Sequence, residues 1–189
     1  MTWKQLFPQV PLPEAVRLLG RYDVWDEHNP EWESRILPFQ WGMRTIEHRP
    51  EEPIWDRLLS PEAVDTAFVE SLVLRGRTCL EYERIHSLQY AQARAFKTEL
   101  KFGDRQLQAV GLNRGLCNSR AFDSVWNSQT YELMIAFCLT PEGHWKVSLY
   151  TTRTDVDCGQ IARAYGGGGH PRAAGFQCQD LPFKPGGRP

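Results

Sequence analysis

A chain of 189 residues with 41% hydrophobic content can bury one substantial core and has room for a smaller unit beside it, so composition leaves one or two domains open. Its 22 basic and 23 acidic residues nearly cancel, which excludes the broad positive field of a protein that coats polyanions and requires any phosphate recognition to be local. The five cysteines form no CxxC pair and no run approaches the roughly 20 apolar residues that span a bilayer, which disfavours structural zinc and membrane insertion and leads us to expect a cytoplasmic protein.

From about Pro11 to Trp25, Ala15, Val16, Leu18, Leu19 and Tyr22 recur at helical spacing, with Pro13 where a helix can begin. Between Asp26 and Ser60 four prolines interrupt any long element, yet the stretch keeps Trp32, Trp41 and Trp55; five of the seven tryptophans precede residue 60. Such aromatic density predicts a surface built to pack on a following helix or on another domain. Ser60 and Pro61 read as a helix start, and Val64, Phe68, Leu72, Cys79, Tyr82, Ile85 and Phe96 predict one long helix with a bend at Gly76.

After Lys97 the period changes to alternation, giving a hairpin turning at Gly103 and Asp104 and a short helix around Ser119 to Trp126. A second hairpin turns through Thr140, Pro141, Glu142 and Gly143, in the order a type I turn favours. Asp157 with Gln160 predicts a capped helix holding Ile161, Ala162 and Tyr165, and Phe176 to Cys178 a last edge strand. The expected fold is α/β (α+β): a helical connector and long helix over residues 1–98, then a mixed sheet of about five strands with helices on one face over 99–181. A loose tail follows over 182–189.

Chemistry concentrates in Tyr165, Gly166, Gly167, Gly168, Gly169, His170, Pro171, Arg172, Ala173, Ala174, Gly175 and Phe176. Four glycines allow left-handed backbone and close ligand approach, and Pro171 suits the first position of a short helix whose free Arg172 and Ala173 donors would face an anion. His170 at its mouth would donate to a phosphate oxygen. The Asp155 and Asp157 pair reads as a turn and helix cap, since no other acidic residue or histidine clusters beside it.

The string from Gly166 to Phe176 resembles the glycine-rich signature of the DHH-associated domain of DHH-family phosphoesterases: glycines, His, two variable residues, Ala, Ala, Gly and an aromatic. Val147 to Thr151, Asp155 to Asp157 and Ile161 to Ala162 look like the strand and helix before it. Tyr150 stands where many members carry arginine, a place Arg153 is near enough to fill. Leu12 to Trp25 resembles the connector after the catalytic domain of oligoribonuclease-like members, and Thr2, Trp3, Lys4 and Phe7 the end of that domain's last helix. The resemblance implies substrate contacts at Gly167, Gly168, Gly169, His170, Arg172, Arg153, Ser148, Thr151 and Asn118.

The resemblance also implies hydrolysis of short oligonucleotides or cyclic nucleotides at a pair of manganese ions. The Asp-His-His triplet that names the family is absent and the five histidines are dispersed, so no catalytic residue, metal ligand or cofactor is expected in this chain. Manganese would belong to a catalytic DHH domain, either the rest of a longer chain or a separate partner; a homodimer would otherwise hide the apolar surface of residues 1–60. Polyphosphate or a phosphosugar could replace the nucleotide, because a glycine loop and a histidine read phosphate and not base. Alternatives to a phosphoesterase part are a stand-alone nucleic-acid-binding module and a non-catalytic assembly remnant.

Overall fold

The computed structural model describes residues 2–60 and 63–189, the side chains of 63–65 excepted. The chain divides into two units, Met1–Glu83 and Arg84–Pro189.

The first unit is helical: α1 (Thr2–Leu6), α2 (Glu14–Asp23), a π-helical turn (Trp32–Ile36), α3 (Leu37–Met43), α4 (Ile54–Leu58) and the start of α5 (Ala63–Arg94). The expected start of α5 at Ser60 and Pro61 falls partly outside the described residues. Ala15 and Leu18 of α2, Trp32, Ile36, Leu37, Phe39 and Met43, Leu58, and Val69, Leu72 and Val73 of α5 form its core. Gly76, expected as a bend, serves packing instead. A Cβ there would lie 1.8 Å from the Pro38 carbonyl oxygen, and one on Gly42 would lie 2.1 Å from that of Leu72, so α3 and α5 meet backbone to backbone. The predicted stripe on α5 holds at Leu72 but not at Tyr82 and Ile85, which are exposed. Within this unit Trp32 of the proline-rich stretch packs on rings of the segment before it: Tyr22 stacks on Trp32, and Trp25 meets both rings edge-on.

The second unit adds the end of α5 to six strands: β1 (Phe96–Phe102), β2 (Arg105–Asn113), β3 (Leu133–Leu139), β4 (Trp145–Tyr150), β5 (Gly168–His170) and β6 (Ala173–Cys178). A 3-10 turn (Ser119–Phe122) and α6 (Cys158–Ala164) complete it. The strand order is β1-β2-β3-β4-β6-β5, antiparallel except between β2 and β3. Both expected hairpins form. Gly103 supplies a φ of 59° in one turn, and Thr140, whose carbonyl accepts from the Gly143 amide at 3.0 Å, opens the other.

Helices and turns cover both faces of this sheet, not one. Leu107, Ala109, Leu133, Ile135, Val147, Leu149 and Phe176 pack with Ile161 and Ala162 of α6, whereas Val110, Leu112, Met134 and Ala136 pack with Ala91 of α5 and Phe122. The central strands alternate between two buried sides, a pattern that period-2 reasoning alone does not separate from a single covered face. Phe176 to Cys178 is an edge as expected, pairing only with β4, whereas the first half of the same strand, Ala173 to Gly175, lies between β4 and β5. The tail is not loose. Phe183 is buried against Phe137, Thr98 Oγ1 donates to the Lys184 carbonyl at 2.8 Å, and Lys97 exchanges backbone bonds with Gly186 and Gly187 at 2.8 Å. These residues cover the otherwise open edge of β1.

Candidate phosphate site at the glycine hairpin

The glycine run forms a hairpin. Tyr165 ends α6, Gly166 takes the left-handed conformation that follows helices (φ 80°), and Gly168–His170 pairs antiparallel with Ala173–Cys178 around Pro171 and Arg172. The short helix expected at Pro171 is therefore absent, because Arg172 turns the chain straight into β6. Its proposed anion site goes with it, and the nearby helix end is already used. The Cys158 amide at the start of α6 donates to the Pro171 carbonyl at 2.9 Å, and that of Gln160 donates to Asp157 Oδ1 at 2.9 Å. The expected N-cap forms, but in place of the reciprocal bond of a capping box Gln160 Nε2 donates to Asp157 Oδ2 at 3.1 Å, and these bonds hold the Asp157 carboxyl below its usual range.

Each glycine of the run has its own reason. A Cβ on Gly167 would lie 2.1 Å from the Gly175 oxygen, and Gly169 has a φ of 141° with Ala174 Cα 2.5 Å from where its Cβ would stand. Gly175 itself abuts the Val147 carbonyl, 2.7 Å from where its Cβ would stand. Gly168 differs: its backbone is ordinary and a Cβ would meet nothing within 4 Å. The fold demands a glycine at 167 and 169, but not at 168.

Paired residues of antiparallel strands share a face. One row crosses the sheet through Ala136, Ser148, Gly175 and Gly168; the next runs through Met134, Tyr150, Ala173 and His170. Both rows lie on the face opposite α6, where Gly168 and His170 are exposed. Ser148, Gly168 and His170 thus share one face of the sheet, with β6 between the first and the other two, and the imidazole has no bonded partner among the described residues. Tyr150, where many family members carry arginine, instead donates its hydroxyl to the Cys117 carbonyl at 3.0 Å, fixing the loop after β2 above this face. Burial raises its phenol above the usual range, so it stays a neutral donor.

The remaining sequence-derived site residues are largely committed to the fold. Thr151 is buried, its hydroxyl donating to the Glu132 carbonyl at 2.8 Å and accepting from the Arg153 amide at 3.1 Å. Arg153 grips Asp155 through two nitrogens at 2.9 and 2.6 Å and donates to the Ser128 carbonyl at 3.1 Å. The pairing raises the guanidinium and lowers the Asp155 carboxyl, so much of this cation is neutralised in place. Arg172 donates to the Arg153 carbonyl at 2.7 Å with one nitrogen, at the same end of the sheet. Asn118 caps the 3-10 turn by accepting from the Arg120 amide at 3.0 Å. No three His, Cys, Asp or Glu residues cluster to hold a metal ion among the described residues, so they do not fit a two-manganese centre.

Residues 119–185, within the second unit, match the family model described as the DHHA1 domain. Over 93% of its length the chain is 25% identical to Uncharacterized protein R106 of Acanthamoeba polyphaga mimivirus, of which it spans 39%. Among solved structures, PggH from Vibrio cholerae, a pGpG-specific phosphodiesterase, matches 93% of this chain and 66% of its own at 11% identity, with a TM-score of 0.46. An exopolyphosphatase-related protein from Bacteroides fragilis matches 65% of this chain and 40% of its own at 15% identity, with a TM-score of 0.34. No helix among the described residues is long and apolar enough to cross a membrane.

Proposed function

We propose that the second unit holds the phosphate of a nucleotide or short oligonucleotide, as the substrate-binding part of a DHH-family phosphoesterase. The observation that carries this reading is the pairing of His170 with Gly168 on one open face. The imidazole has no structural partner, and the glycine beside it is not required by the backbone. A phosphate oxygen would accept from His170, with the bare strand at Gly168 letting the ligand approach the main chain. Arg172, at the hairpin turn, and Ser148, on the floor, are the next contacts. Thr151, Arg153 and Asn118 position this end of the sheet and its loops instead of reaching the ligand.

Hydrolysis belongs to a catalytic domain and its manganese, in the same longer protein or in a partner, because the described residues offer no metal-binding set. Binding of short oligonucleotides should show a shallow salt dependence, since few charges are engaged and the net charge is -1. Titration calorimetry of this chain with an oligoribonucleotide of two to five nucleotides, without added metal, tests the reading. His170→Ala should weaken binding about tenfold or more, the order expected for a charge-assisted hydrogen bond. Undiminished binding by that variant would remove His170 from the site and favour an assembly role for the domain.

A further inference from the structure

Leu116 is 108% exposed, the most exposed large apolar side chain among the described residues, and its backbone stands in the left-handed region at a φ of 52°. Both features are unfavourable for leucine: the side chain gains nothing from burial, and the conformation suits glycine or asparagine better. Scattered exposed leucines are common and need no account, but they rarely sit on strained backbone.

The exposure is not the result of a slack loop. The Arg114 amide donates to the Leu112 carbonyl at 3.0 Å, and its guanidinium bonds Ser87 Oγ at 2.8 Å and lies over the Tyr90 ring. Gly115 fits so closely that a Cβ would come within 2.8 Å of Cys138 Sγ. On the other side the Cys117 carbonyl accepts the Tyr150 hydroxyl at 3.0 Å, and Asn118 caps the following turn. Residues on both sides of Leu116 are pinned while its own side chain is held in water.

The anchor places this tip. Tyr150 pairs with Ala173, and Ala173 with His170, so the three share the face opposite α6, covered at Tyr150 and exposed at His170. At about 4.8 Å per strand, the Tyr150 and His170 backbones are about 10 Å apart, within the reach of one nucleotide.

We propose that Leu116 is the base-contacting residue of the hairpin site, and that the ligand therefore carries a planar apolar ring beside its phosphate. This rests on the phosphate-binding reading above. With the phosphate at His170, a nucleobase directed toward Tyr150 would approach the Cys117 carbonyl that Tyr150 holds, and contact with the neighbouring Leu116 would cover its side chain. That gain is available only to a ligand with a base; a bare chain of phosphates has nothing to place there. The sequence near Leu116, with Arg114, Gly115 and Asn118 around it, reads as an ordinary turn, so periodicity gives no hint of this role.

The test is titration of the full chain with a 5′-phosphorylated diribonucleotide and with inorganic tripolyphosphate, using the parent, Leu116→Gly and His170→Ala. Glycine accepts the left-handed backbone, so Leu116→Gly should melt no lower than the parent. It should weaken the dinucleotide roughly tenfold and leave tripolyphosphate unchanged, whereas His170→Ala should weaken both. If Leu116→Gly changes neither ligand, the leucine is no base contact and its tip serves another surface, such as a protein partner. Equal weakening of both ligands would also overturn the proposal, placing the effect on the phosphate. Failure of the underlying reading looks different: His170→Ala leaves both affinities intact, or the parent binds neither ligand.

Discussion

Gly167 and Gly168 are adjacent and chemically identical, yet alanine should act on them in opposite ways. At Gly167 the new methyl would lie 2.1 Å from the Gly175 carbonyl oxygen, 2.6 Å from Phe176 Cβ and 2.7 Å from Phe176 Cα. All three atoms are backbone or sit directly on it, and Gly175 is held between Ser148 of β4 and Gly168 of β5 while Phe176 pairs with Val147, so nothing there can swing away. Overpacking in a tight site costs about 1–3 kcal/mol, and the upper end applies where the clashing atoms are backbone. For a unit of about this size, ~3 kcal/mol corresponds to a fall in melting temperature on the order of 15 °C. At Gly168 the methyl meets nothing within 4 Å and φ is ordinary, so the expected change is within about 0.5 kcal/mol. Thermal denaturation of the two variants followed by circular dichroism, with oligonucleotide titration of Gly168→Ala, measures both. Gly168→Ala should keep its stability and lose affinity. Equal destabilisation would refute the claim that one glycine serves the fold and the other the ligand; undiminished affinity in Gly168→Ala would refute its ligand role.

Thr151→Val keeps the shape but strands the Glu132 carbonyl and the Arg153 amide, and should cost about 2 kcal/mol by urea denaturation, with Thr151→Ser restoring most of it. Burial pushes the Cys158 thiol up to about 12, so native protein at pH 8 should leave it unmodified by a thiol reagent while denatured protein reacts. The same shift sets a pH dependence. In the unfolded chain the thiol ionises near pH ~8.5, so its contribution is complete below that and declines as pH rises toward 12. Cys158→Ala should remove this part of the alkaline fall in a pH series of denaturation curves.

The elements with local chemistry were legible in the sequence. The Thr140 to Gly143 turn and the Asp157 cap each depend on residues within a few positions of one another, and the structure reproduces both. The long helix was legible for the same reason, but its contacts were not. Gly76 was read as a bend because a lone helical glycine is weak locally, whereas its purpose is set by Pro38, which only the fold brings near. The glycine motif was found by its pattern and misread in its shape. Pro171 fits a helix start and a tight turn equally well, and what decides is pairing of Gly168–His170 with Ala173–Cys178. Among the site residues, Ser148 and His170 share a face because strand register places them in adjacent rows of it. Thr151 and Arg153 are candidates by resemblance, which does not reveal that the Glu132 and Ser128 carbonyls and Asp155 already occupy them.

The bonds that tie Lys184, Gly186 and Gly187 to β1 make the first strand of the sheet depend on the last residues of the domain. During synthesis β1 is complete some eighty residues before its outer edge can be covered. Throughout that interval its backbone donors and acceptors at Lys97 are open to other chains. The domain can close only after residue 187 has left the ribosome, so its assembly waits on its own last segment and not on the emergence of each hairpin in turn.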